Sequence, residues 1–109
     1  EALYLSVLTL GEIEKGIDRR ASGARKQRLR TWSGALRLEA QSRIVPVDEP
    51  IALESGRLLA RAERAGTPLP VIDALLAATA IVRGLSVATR NSSDIARTGV
   101  PVIDPWQPA

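Results

Sequence analysis

The alternation of short apolar runs with stretches of helical periodicity is the feature of this chain that most limits its fold. Four runs have the length and composition of short strands: 3–7, 44–47, 85–89 and 100–103. Apolar residues recur at helical spacing in four longer segments, 10–17, 25–39, 51–65 and 71–82, and a short helix is expected within 90–99. Strands that alternate with helices favour an α/β fold with a mostly parallel sheet.

Particular residues predict where these helices begin and end. Thr9 is a plausible N-cap for the first helix, and Gly66 and Gly84 follow the third and fourth helices at the usual C-terminal glycine position. The segment 71–82 is apolar on nearly every face, which predicts a buried helix.

Missing residue types narrow the chemistry open to this chain. Its 109 residues, enough for a single domain spanning 1–109, include no Cys and no His. Thiolate nucleophiles, Ser-His-Asp triads and the usual Cys/His zinc sites are therefore excluded. No apolar run approaches the ~18 residues of a membrane-spanning helix, so no membrane association is expected. Any catalysis would use carboxylates, lysine, hydroxyl groups or a hard metal ion.

Positive charge is concentrated in one segment, the basic arm 21–43. This arm holds six basic residues and one acidic residue, a balance of +5, whereas the whole chain carries +3. An arginine-rich helical arm is typical of a surface that binds nucleic acid. A solvated helix face that keeps the protein soluble would have the same composition, and charge alone does not separate these two interpretations.

Three acidic residues lie where a carboxylate has either a structural or a chemical role. Asp73 lies in the apolar opening turn of the fourth helix, where it could favour the helix dipole or hold a cation. Glu12 lies one turn into the first helix and could form an i,i+3 pair with Lys15. Asp94 follows the third strand, where it could cap a short helix.

Taken together, these acids predict a cation site. In an α/β sheet, acids that follow strands or open helices can meet over one sheet edge. Two carboxylates about 4 Å apart repel by roughly 4 kcal/mol at an effective dielectric of 20, so such a cluster binds protons or a cation. Oxygen ligands suit Mg²⁺ or Mn²⁺, and such an ion could activate water in a chain that has no histidine base.

Four segments of the chain resemble PIN-domain toxins of the VapC and FitB type. The strand-then-helix segment 4–17 is similar to one family signature, and 73–80 to a second. The segment 89–95 resembles a third signature, and 102–106 resembles the segment that ends the family's domain. The resemblance runs through nearly the whole chain, in order, and implies a PIN-like α/β fold with a parallel central sheet flanked by helices.

The resemblance also implies a function. It implies the cytoplasmic toxin of a type II toxin–antitoxin pair, a homodimeric, Mg²⁺- or Mn²⁺-dependent endoribonuclease that cleaves RNA such as tRNA and binds a VapB-type antitoxin. Glu12 and Asp73 match two of the family's acidic metal ligands. The next family acid falls within 91–94; Asn91 cannot supply a negative charge, so that role goes to Asp94. Thr89 and Asn91 are expected to support the carboxylates.

Two expectations concern what surrounds this acidic site. The RNA backbone is expected to contact basic residues of the arm, namely Arg25, Lys26, Arg28 and Arg30. The family's first strand and its Asp have no counterpart ahead of residue 3, so the chain is expected to be N-terminally truncated and weak in metal binding and cleavage. An inactive PIN-like remnant that binds antitoxin or RNA is therefore an alternative to the ribonuclease.

Overall fold

The computed structural model describes residues 4–88 and 92–103. The chain divides into two compact units, Glu1–Pro46 (unit 1) and Val47–Ala109 (unit 2). Unit 1 contains, in order, β1 (Leu5–Ser6), α1 (Val7–Asp18), α2 (Ala24–Glu39) and β2 (Ile44–Val45). Unit 2 contains α3 (Glu49–Arg64), α4 (Val71–Arg83), β3 (Val87–Ala88), α5 (Ser92–Ala96) and β4 (Val102–Ile103). The predicted α/β class is confirmed, and none of the helices in the described residues is long and apolar enough to cross a membrane.

Each unit has its own pair of parallel strands. In unit 1, β1 pairs with β2 in the register Leu5 to Ile44. In unit 2, β3 pairs with β4 in the register Val87 to Val102. The described strands thus form two two-stranded sheets, and both pairs have the predicted parallel direction.

The first helix begins earlier than the sequence pattern predicts. Ser6, not Thr9, is the N-cap of α1, because its Oγ accepts a hydrogen bond from the backbone N–H of Leu8 at 3.1 Å. The strand before it is correspondingly short, and both of its residues are buried. β1 therefore passes directly into α1, which is the arrangement that brings Glu12 one turn and a half beyond a strand end.

Helices α1 and α2 pack against each other and are joined by polar contacts. Arg30 of α2 reaches back to α1, where it donates to Glu14 Oε1 at 2.5 Å and to Asp18 Oδ1 at 3.2 Å. Lys26 Nζ donates to the main-chain oxygens of Asp18 at 3.4 Å and Arg20 at 3.1 Å, at the C-terminal end of α1. These contacts satisfy carbonyl groups that a helix end leaves without partners.

The third helix is stabilised at both ends. Asp48 is its N-cap and accepts a hydrogen bond from the N–H of Ile51 at 3.2 Å, while its other oxygen pairs with Arg83 of α4 at 2.9 Å. At the other end Gly66 has a φ of +77°, a conformation that strongly favours glycine. The predicted terminal role of Gly66 is confirmed, and Gly84 ends α4 in the same left-handed conformation.

Helix α4 is buried through its middle turns and exposed at its two ends, so the predicted burial on nearly every face is confirmed for the middle of the helix and wrong for its ends. Four consecutive residues, 77–80, are buried, and four consecutive residues of an α-helix point to all of its sides. Small residues such as Ala74 and Ala77 let α4 pack closely against α3. Val71 and Ile81, near the two ends, are exposed.

Candidate active site

Asp73 enters the candidate site from the first turn of α4. The helix begins after Pro70, whose fixed geometry suits a helix start, and no side chain caps it. A carboxylate at this position is favoured by the helix dipole, which alone would lower its pKa. The pKa of Asp73 is nevertheless raised, first because partial burial disfavours the charged form and second because the negative charge of Asp94 lies nearby.

Asp94 enters from the first turn of α5, the short helix that follows β3. Its carboxylate is partly buried, and it raises the pKa of Asp73, so the two acids act on each other through space. Two chain segments more than twenty residues apart are thus brought together within unit 2. A divalent cation would relieve the unfavourable charge of this Asp73–Asp94 pair, and carboxylate oxygens are suitable ligands for Mg²⁺ or Mn²⁺.

Arg97 connects the acidic pair to the loop that leads into α4. Its guanidinium donates to Asp94 Oδ1 at 2.8 Å, to the main-chain oxygen of Thr67 at 2.7 Å and to that of Pro68 at 3.4 Å. Because the segment 67–70 leads directly to α4, one side chain ties the orientation of Asp94 to the start of the helix that carries Asp73. We call these three contacts the Arg97 clamp.

Glu12 lies on α1 in unit 1, and its side chain is exposed. The alternative role considered for it, an ion pair with Lys15 one turn along the helix, is not among the ion pairs of the described residues in this unit. Instead, Glu12 lines a groove of about 450 Å³ between α1 and α2, and Trp32 lines the same groove. Its carboxylate is therefore available to a ligand in this groove.

Comparison with known proteins identifies the family. The model of the PIN domain matches residues 1–100. The chain belongs to the PIN domain family. It is 32% identical over its whole length to VapC ribonuclease Y4jK of Sinorhizobium fredii, covering 79% of that protein. It is 34% identical over 97% of its length to Toxin FitB of Neisseria gonorrhoeae, of which it covers 77%.

A solved structure supports the same assignment. The chain superposes on the structure of FitAB bound to an IR36 DNA fragment with a TM-score of 0.88 and 30% identity, over 97% of this chain and 75% of the other. This PIN domain is therefore of the VapC and FitB type, as its motifs predict. The type includes proteins named as a ribonuclease and as a toxin.

The predicted supporting residues of this PIN domain, Thr89 and Asn91, lie outside the described residues. Within either unit, the described residues contain no group of three or more acidic side chains arranged to hold a metal ion. In unit 2, Asp73 and Asp94 are close enough for the charge of Asp94 to raise the pKa of Asp73. Whether Glu12 joins that pair, as the family resemblance implies, stays a prediction.

The four predicted RNA-binding residues of the PIN domain differ in their surroundings. Arg30 is paired with Glu14 and Asp18, and its pKa is raised by the hydrogen bond and the charge of Glu14 and, to a smaller extent, by Asp18. Lys26 caps the C-terminal end of α1. Arg25 and Arg28 are exposed and make no hydrogen bond or ion pair with the described residues of unit 1.

Arg97 is the site residue that sequence reasoning missed. Its contact with Asp94 follows the i,i+3 spacing of a helical ion pair, which the sequence does contain. The decisive contacts are those to main-chain oxygens thirty residues earlier, and no local pattern reports them.

Proposed function

We propose that this PIN domain is the toxin component of a type II toxin–antitoxin system and acts as a Mg²⁺-dependent endoribonuclease on RNA, with tRNA as the substrate class. The observation that carries the proposal is the Asp73–Asp94 pair, in which one acid raises the pKa of the other in a chain without histidine. The relatives named VapC ribonuclease and Toxin FitB support the same assignment.

The acidic residues of this chain would hold the cation. Asp73 and Asp94 would supply carboxylates from α4 and α5, and the family resemblance implies Glu12 as a third ligand. Mg²⁺, or Mn²⁺ in its place, would supply activated water and charge stabilisation for hydrolysis of a phosphodiester bond. The donor set fits such an ion, because it consists of oxygen ligands whose mutual repulsion a cation relieves. Arg97 would position Asp94 through its hydrogen bond and would not itself donate or accept a proton in the reaction.

The basic arm would hold the RNA backbone. Arg25 and Arg28 offer exposed guanidinium groups, which bind phosphate oxygens in a fork geometry. Lys26 and Arg30 extend this charge, although both also stabilise the α1–α2 contact. Binding through these groups is expected to weaken as salt concentration rises.

The proposed partners follow from the family type. We infer a VapB-type antitoxin and a second copy of the chain as partners, and the cytoplasm as the place of action. The solved structure of FitAB bound to an IR36 DNA fragment, which resembles this chain with a TM-score of 0.88, supports an assembly with a second protein.

The test is cleavage of tRNA by the full natural chain, with Mg²⁺ and with EDTA. Asp73→Asn is expected to lower the cleavage rate about 100-fold or more, because it removes a ligand to an ion that supplies several kcal/mol of transition-state stabilisation. Glu63→Gln is the matched control, since it neutralises an exposed acid of the same unit near the end of α3.

Two outcomes would contradict the proposal. Equal cleavage by Asp73→Asn and by the unmodified chain would remove the metal site from the reaction. RNA or antitoxin binding without cleavage under any metal condition would favour the inactive, binding-only alternative.

A further inference from the structure

We propose that Trp32 is a base-stacking residue for single-stranded RNA, in the groove that Glu12 also lines. The groove lies between α1 and α2, has a volume of about 450 Å³, and its lining includes Glu12, Trp32, Arg19 and Arg20. This inference rests on the proposed ribonuclease function, and adds a binding position for the substrate that the acidic residues do not provide.

The exposure of Trp32 is the first observation behind this inference. Its side chain is 51% exposed, although a tryptophan on a helix that packs against another helix would ordinarily bury its ring. Leu29 lines the same groove, and about half of the surface of Trp32 is open to solvent. An exposed aromatic ring can stack on any nucleic-acid base.

The charge of the groove selects nucleic acid over a protein ligand. Arg19 and Arg20 line it, and neither side chain makes a hydrogen bond or ion pair with the described residues of unit 1. The two nearby acids of α1, Glu14 and Asp18, are already paired with Arg30. Two guanidinium groups against the one carboxylate of Glu12 leave net positive charge in the groove with an exposed ring, which is the combination that single-stranded nucleic-acid sites use.

Glu12 and Trp32 line one groove. A strand whose phosphodiester bond reaches this acid therefore has an exposed aromatic ring within the same groove. A base stacked on Trp32 must be unpaired, since bases inside a duplex have their faces covered. The expected ligand is thus an unpaired nucleotide near the cleaved bond, with its flanking phosphates on Arg19 and Arg20.

The experiment is a titration with a single-stranded oligoribonucleotide of about 12 nucleotides. The full natural chain carries Asp73→Asn to prevent cleavage, and the buffer contains EDTA, so binding is measured without any metal-dependent step. We expect quenching of tryptophan fluorescence, and loss of that quenching in Trp32→Phe, in which Trp106 remains as the emitter. Trp32→Ala is expected to weaken binding about 5- to 150-fold.

Two further variants separate stacking from folding. Trp32→Tyr keeps an aromatic face and is expected to bind within a few-fold of the unmodified chain, whereas Trp32→Leu keeps only bulk and is expected to bind as weakly as Trp32→Ala. Leu38→Ala is the control, because Leu38 lies on the same helix, is 75% exposed and does not line the groove. Its RNA affinity is expected to stay unchanged.

Several results would overturn the inference. Equal RNA affinity of Trp32→Leu and Trp32→Tyr would show that stacking is absent. Equal binding of a duplex and a single strand, without quenching, would place the RNA elsewhere. Emission that changes with protein concentration and not with RNA would show that a second copy covers the ring. If the unmodified chain and Trp32→Leu both cleave RNA with the same KM, the ribonuclease proposal stands and the stacking role of Trp32 is wrong.

Discussion

Two opposing influences act on the charge of Asp73. Its place in the first turn of α4 favours the carboxylate through the helix dipole, whereas partial burial and the charge of Asp94 disfavour it. The raised pKa shows that the second influence is the stronger one. A residue used only to stabilise the helix start needs no second carboxylate beside it, so the nearness of Asp94 is what favours a role in binding a cation.

The stability of the protein is expected to depend on pH through Asp73. Because its folded-state pKa is raised, the folded chain binds this proton more tightly than the unfolded chain does. The free energy of unfolding therefore decreases as pH rises from about 4, the unfolded pKa, through the raised folded pKa. Asp73→Asn should remove this decrease and raise stability near neutral pH by less than about 1 kcal/mol, since the group is partly solvated.

Urea unfolding of both chains between about pH 4 and pH 7 measures this effect. Glu63→Gln, which changes an exposed acid, should follow the unmodified chain at every pH. The prediction is wrong if the free energies of unfolding of Asp73→Asn and the unmodified chain differ by the same amount at every pH in this range.

The Arg97 clamp predicts that a residue which is not itself a metal ligand controls the acidic pair. Arg97→Gln removes the bonds to Asp94, Thr67 and Pro68. We expect a 10- to 100-fold loss of Mn²⁺ affinity, the effect typical of partners that orient metal ligands. Arg97→Lys should recover only part of this affinity, because an ammonium group cannot reproduce a planar fork.

Calorimetric titration with Mn²⁺ measures the affinity. Arg61→Gln is the matched control, since Arg61 lines the same small cavity as Arg97 but has an exposed side chain and a long ion pair with Glu54, at 3.6 Å. Unchanged Mn²⁺ affinity in Arg97→Gln would mean that the clamp stabilises only the loop.

At the scale of helices, polar contacts between neighbouring elements divide the basic residues into two groups. Arg30 and Lys26 join α2 to α1, whereas Arg25 and Arg28 remain exposed. The same composition therefore supports both interpretations of the basic arm, because some charges stabilise the helix pair and others are available to a ligand. Charge counting along the sequence could not separate these groups.

Asp48 joins two helices of unit 2 and caps one of them, which allows its two roles to be separated. Asp48→Asn keeps an oxygen for the Ile51 N–H but loses the ion pair with Arg83, and should cost at most about 1 kcal/mol because that pair is exposed. Asp48→Ala loses the cap as well and should cost about 1 kcal/mol more. The additional loss should lower Tm by about 3–5 °C in thermal unfolding followed by circular dichroism.

Arg83→Gln is the control for the ion pair, and its Tm should equal that of Asp48→Asn. If Asp48→Ala and Asp48→Asn unfold at the same temperature, the cap contributes no stability and this account of the start of α3 is wrong.

For the whole molecule, a cation that binds only the folded state must stabilise it. At a Mn²⁺ concentration 100 times the Kd, the gain is about 2.7 kcal/mol. The Tm of the unmodified chain should therefore rise with Mn²⁺ and return on addition of EDTA, whereas the Tm of Asp73→Asn should not respond. A similar rise in both chains would place the bound ion away from Asp73.

Most elements of the fold could be predicted from the sequence because they depend on local chemistry. The helices 24–39, 49–64 and 71–83 lie within a few residues of their predicted bounds, since apolar spacing and terminal glycines act over a single turn. The predicted start of α1 was wrong by three residues because Ser6, buried at the end of β1, takes the capping role predicted for Thr9.

The sequence by itself determined the chemistry open to this protein: without cysteine or histidine, carboxylates, lysine, hydroxyl groups and a hard metal ion remain, and the order of strands and helices leads to an α/β fold. Only the tertiary structure decided which turns of α4 are buried, that Asp94 acts on Asp73, and that Arg97 holds the loop before that helix. The reason is physical: burial and charge interactions depend on distances between side chains that packing brings together, and spacing along the chain does not report them.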